Sequence, residues 1–209
     1  MGRSPTDTKE KLLLTAMDLI WQSSYGSVSV DEICIQAGVK KGSFYYYFTS
    51  KAELAVEVME QAYNHYEPEM ANVLSATGSA TERFERLANF VYDKQLEACK
   101  QYGRVCGCPF ASLGSEMAGN DEAIRQKADE IFKRQNVLLA TSLQELVNSE
   151  QLPANTDLDA MASEIHSFIL GQVMMARIQN DVSNLKHEVK SGLLRILNIE
   201  QAAAVQIIK

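Results

Sequence analysis

A chain of 209 residues with 46% hydrophobic and 22% charged positions can bury a core and lies outside the disordered class. Its formal charge of −7 excludes a protein that coats nucleic acid over its whole surface. No apolar run of 18 residues occurs, the polar opening MGRSPTDTKEK lacks a secretory apolar region, and four cysteines follow no disulfide framework; these features predict a cytoplasmic chain without a membrane segment.

Charge is unevenly spread. Residues 1–51 carry six Lys/Arg (Arg3, Lys9, Lys11, Lys40, Lys41, Lys51) against five acids, whereas the remainder carries fourteen against twenty-two. Any phosphate-binding face therefore belongs to the N-terminal end.

Helical periodicity dominates, and the expected class is all-α. A first helix, about Asp7 to Ser23, sets Leu12, Leu13, Ala16, Leu19 and Ile20 on one face, and Tyr25-Gly26-Ser27 ends it. Ser29-Val30-Asp31-Glu32 reads as a capping box opening a short helix that Ala37-Gly38-Val39 stops after about two turns. A third short helix begins around Lys41. It carries the run Phe44-Tyr45-Tyr46-Tyr47-Phe48, and Thr49-Ser50-Lys51 breaks it. Long helices follow over about Ser50–Ser75, Ala80–Gln101, Asp121–Ser149, Asp157–Asn180 and Val182–Asn198. Between them, residues 103–119 hold four of the eleven glycines and Pro109, and the sequence predicts an irregular segment containing one short helix.

Two short helices joined at Gly38 form a helix-turn-helix, a unit that seats its second helix in the major groove. Lys40, Lys41 and Ser43 stand at the start of that second helix, where side chains reach base edges. Lysine can donate to guanine O6 and N7. Five consecutive aromatics cannot share one helix face, since successive residues turn about 100° apart. Phe44, Phe48 and Tyr47 are expected inward; Tyr45 and Tyr46 are expected outward with hydroxyls free for phosphates. Lys51, opening the next helix, suits phosphate as well.

The string from Gly38 to Phe48, followed by Ser50-Lys51 and Glu53-Leu54 and preceded by Tyr25-Gly26 and Ser29-Val30 with Ile33, resembles the signature of the TetR (tetracycline-repressor-like) family over about residues 6–66. The resemblance implies an N-terminal three-helix DNA-binding domain at 6–66, with its helix-turn-helix at about 29–48. Residues 67–200 would form a C-terminal helical domain for effector binding and dimerisation. It further implies a homodimer on a two-fold symmetric double-stranded operator, with repression relieved by a small molecule. Carried over by position, Lys41 would read bases, Ser29, Ser43, Tyr45, Tyr46 and Lys51 would hold phosphates, and Gly42 would permit close approach. Tyr47 stands where many members carry His.

In the C-terminal part, Phe168 to Ala176 is apolar nearly all round, and such a helix must be covered on both sides. Its outer side, with Val189, Leu193, Ile196 and Leu197 of the last helix, is assigned to a four-helix dimer interface. The effector pocket is expected among inner helix faces, with Phe90, Tyr102, Met117, His166, Gln172 and Met175 as candidate lining residues. Cys106-Gly107-Cys108-Pro109 has two readings. One is a redox or electrophile sensor, with Arg104 favouring the thiolate and reactive cysteines known in a subset of TetR-like proteins. The other is a set of small residues packing a helix start. No Gly-rich phosphate loop, nucleophile elbow or metal-ligand spacing occurs, so the expectation is a regulator that is not an enzyme and has neither cofactor nor metal.

Overall fold

The computed structural model describes residues 5–75 and 77–199. Among them the chain forms nine α-helices and no strand: α1 (Pro5–Gln22), α2 (Val30–Ala37), α3 (Lys41–Tyr47), α4 (Lys51–Val73), α5 (Ala80–Tyr102), α6 (Pro109–Met117), α7 (Glu122–Asn148), α8 (Leu158–Gln179) and α9 (Leu185–Ile196). The all-α class follows from the 3.6-residue spacing of apolar side chains. The one short helix expected within 103–119 is α6.

These helices divide into two compact units. The first holds the described residues up to His65 together with Pro109–Ile131; the second holds Tyr66–Cys108 and those from Phe132 onward.

In the first unit, Leu12, Leu13, Ala16 and Ile20 of α1 are buried and Leu19 is half-buried, so the apolar face read from the sequence is the packed face. At the start of α2 the Ser29 hydroxyl accepts from the Glu32 N–H at 3.1 Å, one arm of a capping box. Its end is a left-handed Gly38 (φ 63°). There the Gly38 N–H donates to the Ile35 carbonyl and the Val39 N–H to the Cys34 carbonyl, which stops the helix and turns the chain into α3. Phe44 and Phe48 are buried beneath α3, four residues apart on one face.

The second unit is built around α5, α8 and α9. Its core includes Phe84, Leu87, Leu139, Leu143, Leu146, Ile165, Val173, Val189 and Leu193, so the α9 residues Val189, Leu193 and Leu197 that the sequence assigned to a dimer interface are buried within the chain instead. Ser79 and Glu82 form the reciprocal capping box that starts α5, the same Ser-x-x-Glu pattern seen at Ser29 but with both arms closed. Arg83, only 2% exposed, spends one guanidinium nitrogen on the Ser142 carbonyl and hydroxyl and on Glu145, tying α5 to α7. Gly192 of α9 sits against the Phe168 ring of α8, and a side-chain carbon there would collide with it. No helix among the described residues is long and apolar enough to cross a membrane.

Candidate nucleic-acid interface

Because Phe44 and Phe48 take the inward face of α3, Tyr45 and Tyr46 are turned outward. Tyr45 is 52% and Tyr46 79% exposed, as the helical spacing predicts. Tyr47 is half-buried, its ring edge-on to Tyr46 at 4.9 Å, while Tyr45 packs edge-on against Phe44 at 5.1 Å. These contacts restrict the rotamers of two exposed aromatic side chains, so less freedom is lost when they meet a partner.

Ahead of the tyrosines, Lys40 is the N-terminal flanking residue of α3, exposed, and its side chain makes no cap hydrogen bond. Lys41 is also exposed, but its ammonium is 2.7 Å from the Asp31 carboxylate at the start of α2. That contact and the charge of Asp31 hold the lysine above its ordinary pKa and keep it cationic. Gly42 is exposed, and a side-chain carbon built on it would meet nothing within 4 Å. Its lack of a side chain therefore serves no packing purpose within the chain. Ser43 is half-buried beside it. Lys40, Lys41, Gly42, Tyr45 and Tyr46 are thus exposed at the start of and along one short helix, with Ser43 half-buried among them. Ser29 lies at the start of α2 with its hydroxyl oxygen already accepting the cap bond, leaving its proton to donate.

Lys51 differs from the expectation of a free phosphate ligand. Its ammonium donates to the carbonyls of Tyr25 and Val28, each at 2.7 Å, and lies 3.9 Å from the centre of the Tyr25 ring. Two of its three donors are committed, and burial lowers its pKa. At the same turn, the Glu116 carboxylate of α6 accepts from the N–H groups of Tyr25 (3.0 Å) and Gly26 (2.7 Å). The α1–α2 turn is thus clamped by a cation on its carbonyls and an anion on its amides. Sequence reading missed Glu116 entirely, since its partners lie about ninety residues away and no local pattern announces them.

The six candidate pocket residues differ in burial and are divided between the two units. Phe90 is buried against Tyr66, whereas Met175 is 50% exposed; Met117 belongs to the first unit. His166 pairs through Nδ1 with the Asn136 side chain at 2.8 Å and stacks edge-on to Phe132, and burial lowers its pKa, which keeps it neutral. Tyr102 and Gln172 are half-buried. Two open clefts on this unit, one along Ala140 to Asn148 and Thr156 to Asp159, the other around Thr77, Glu82, Arg86 and Asn89, include none of the six. Periodicity identifies which helix faces are apolar, not which of them converge.

The cysteine segment is tightly held rather than loose. Gly107 (φ 69°) exchanges two hydrogen bonds with the buried Gln95 side chain, donating its N–H at 3.0 Å and accepting at 3.1 Å. The Val105 N–H donates to Asn180 at 3.0 Å. Cys106 is buried, and desolvation raises its thiol pKa despite the opposing charges of Arg177 and Arg104. The expected activation by Arg104 is outweighed. Cys108 is half-buried and Cys34 buried. No cluster of three or more His, Cys, Asp or Glu side chains that could hold a metal ion occurs among the described residues.

Residues 12–58 match the family model for bacterial regulatory proteins of the tetR family, and residues 84–191 match the model for the tetracyclin repressor-like C-terminal domain. The HTH-type transcriptional repressor NemR of Escherichia coli strain K12 is 28% identical over 199 residues, spanning 95% of this chain and 96% of that protein. A crystal structure of E. coli NemR in its reduced form superposes with a TM-score of 0.75 at 24% identity, covering 91% of this chain and 97% of that one. A TetR-family regulator from Agrobacterium tumefaciens gives a TM-score of 0.80 at 20% identity, covering 93% and 100%.

Proposed function

Since the chain belongs to the tetR family of bacterial regulatory proteins, we propose that it is a cytoplasmic homodimeric repressor that grips a two-fold symmetric operator through α3 and lets go when a small molecule binds its second unit. One observation carries this reading: Lys40, Lys41, Tyr45 and Tyr46 are exposed at α3 around a glycine whose open side none of the described residues fills. The lysines supply donors for base edges and phosphates, and the tyrosine hydroxyls donate to phosphate oxygens. Pairing of two subunits spaces the two copies of α3 at about 34–36 Å, one turn of duplex. An exposed strip on α8, Gly171, Met175 and Ile178, supports such a pairing, and Gly171 has open space for a second helix to approach.

A ligand that prefers a conformation with mismatched spacing releases the operator; equal affinity for both conformations would leave binding unchanged. A second trigger, oxidation or alkylation of Cys106 and Cys108, draws support from the relative crystallised in its reduced form. Burial of Cys106 weighs against it in the conformation seen here.

The test is to select duplexes from a random library with the full chain and titrate them with Lys41→Met and Tyr46→Phe. Both variants are expected to bind about five- to 150-fold more weakly, each lost contact being worth about 1–3 kcal/mol. Unchanged binding by both would refute the assignment of α3.

A further inference from the structure

Asp31 is assigned no role by the sequence pattern, yet its carboxylate lies 2.7 Å from the ammonium of Lys41 on the exposed outer face of the helix-turn-helix. The two residues come from different helices, α2 and α3. Both side chains remain more than half exposed, and ion pairs of that kind add little to stability. The consequence of the contact lies in what the face offers a partner.

We propose that Asp31 and Lys41 act as one base-reading pair that recognises a single G·C pair in each half-site, Lys41 on the guanine and Asp31 on its cytosine; this rests on the DNA-binding reading above. Lysine has three N–H donors. One is held by Asp31, leaving two for guanine O6 and N7. The carboxylate has further acceptor positions, and cytosine N4–H₂ is the donor adjoining guanine O6 in the major groove. A G·C pair presents its two acceptors side by side and then its donor, which is the complement of donors on Lys41 beside an acceptor on Asp31. An A·T pair places its donor between two acceptors and adds a methyl group, so the same pair of side chains fits it poorly. The ion pair also biases Lys41 towards Asp31 before binding. In addition, it sets a negative charge beside the lysine, which disfavours contacts to phosphate alone and so penalises unselective binding.

The experiment selects duplexes from a randomised library with the full chain, and in parallel with Asp31→Ala, Asp31→Asn and Lys41→Met. The wild-type chain is expected to enrich a G·C pair at one symmetric position with a preference of about tenfold or more. Lys41→Met loses that preference. Asp31→Ala relaxes it to within about twofold while preferences at all other positions stand, and Asp31→Asn, which keeps one acceptor oxygen, relaxes it less. Retention of the wild-type preference by both Asp31 variants would overturn the proposal. So would a uniform tightening of binding to every duplex with the pattern unchanged, since Asp31 would then only screen charge. Enrichment of no sequence by the wild-type chain would instead refute DNA binding itself, a result distinct from either.

Discussion

Gly42 separates packing from recognition more cleanly than any other residue on α3. A methyl group at this position would meet nothing within 4 Å, and the backbone there is helical, so Gly42→Ala has no steric cost inside the chain. The substitution should leave stability unchanged or raise it by up to about 1 kcal/mol, the difference in helix propensity. Operator binding should nevertheless weaken, because the methyl group occupies the approach to the duplex. Thermal melting and fluorescence anisotropy on the same preparation decide it: a lower melting temperature, or undiminished binding, would contradict the assignment. Cys106 poses the opposite case, a group whose reactivity is suppressed. Its thiol pKa is raised by burial, so as pH climbs the unfolded chain ionises first. The stability contributed by the protonated thiol is complete below the ordinary thiol range and is lost as pH rises through the raised value. Site-resolved mass spectrometry after iodoacetamide treatment at neutral pH should show Cys106 labelled more slowly in the native than in the urea-unfolded chain. Equal rates would restore the sensor reading.

Among the elements, the α1–α2 turn connects sequence to site least visibly. Glu116→Gln offers one carbonyl oxygen where two carboxylate oxygens now serve Tyr25 and Gly26, leaving one N–H without its acceptor. A loss of about 1–2 kcal/mol is expected. Faster hydrogen exchange at those two amides and weaker operator binding should accompany it; unaltered exchange would show that the clamp does not hold the turn. Much at this scale is legible in the sequence. Ser29, Gly38, Phe44 and Phe48 are specified by local chemistry, a hydroxyl that caps, a residue that tolerates positive φ, and a four-residue apolar spacing, and each does what the sequence predicts. The reciprocal box at Ser79 and Glu82 obeys the same local rule as Ser29 and is equally readable. Illegible are the roles of Lys51 and Glu116, whose partners are far away in the chain, and the pocket residues, because amphipathic periodicity orients a helix without naming its neighbours. The same limit hides the grouping of Pro109–Ile131 with the N-terminal helices.

For the whole molecule, the account requires two chains per operator. Met175 and Ile178 are 50% and 75% exposed and lie one helical turn apart, on the strip of α8 that the proposed pairing would cover. Replacing both with glutamate should yield a monomer in sedimentation velocity with its helical content intact and operator binding lost; a dimer that survives would move the interface elsewhere. The charge distribution points the same way, with the acidic excess confined to residues beyond 51 and the cations of α3 facing outward. Binding through phosphates releases counterions and must weaken as salt rises. The most direct measurement is therefore a titration of a library-selected duplex with the full chain across a series of salt concentrations. The account predicts two chains bound per duplex and a logarithmic affinity falling linearly and steeply with the logarithm of salt. One chain per duplex, or an affinity indifferent to salt, would contradict it.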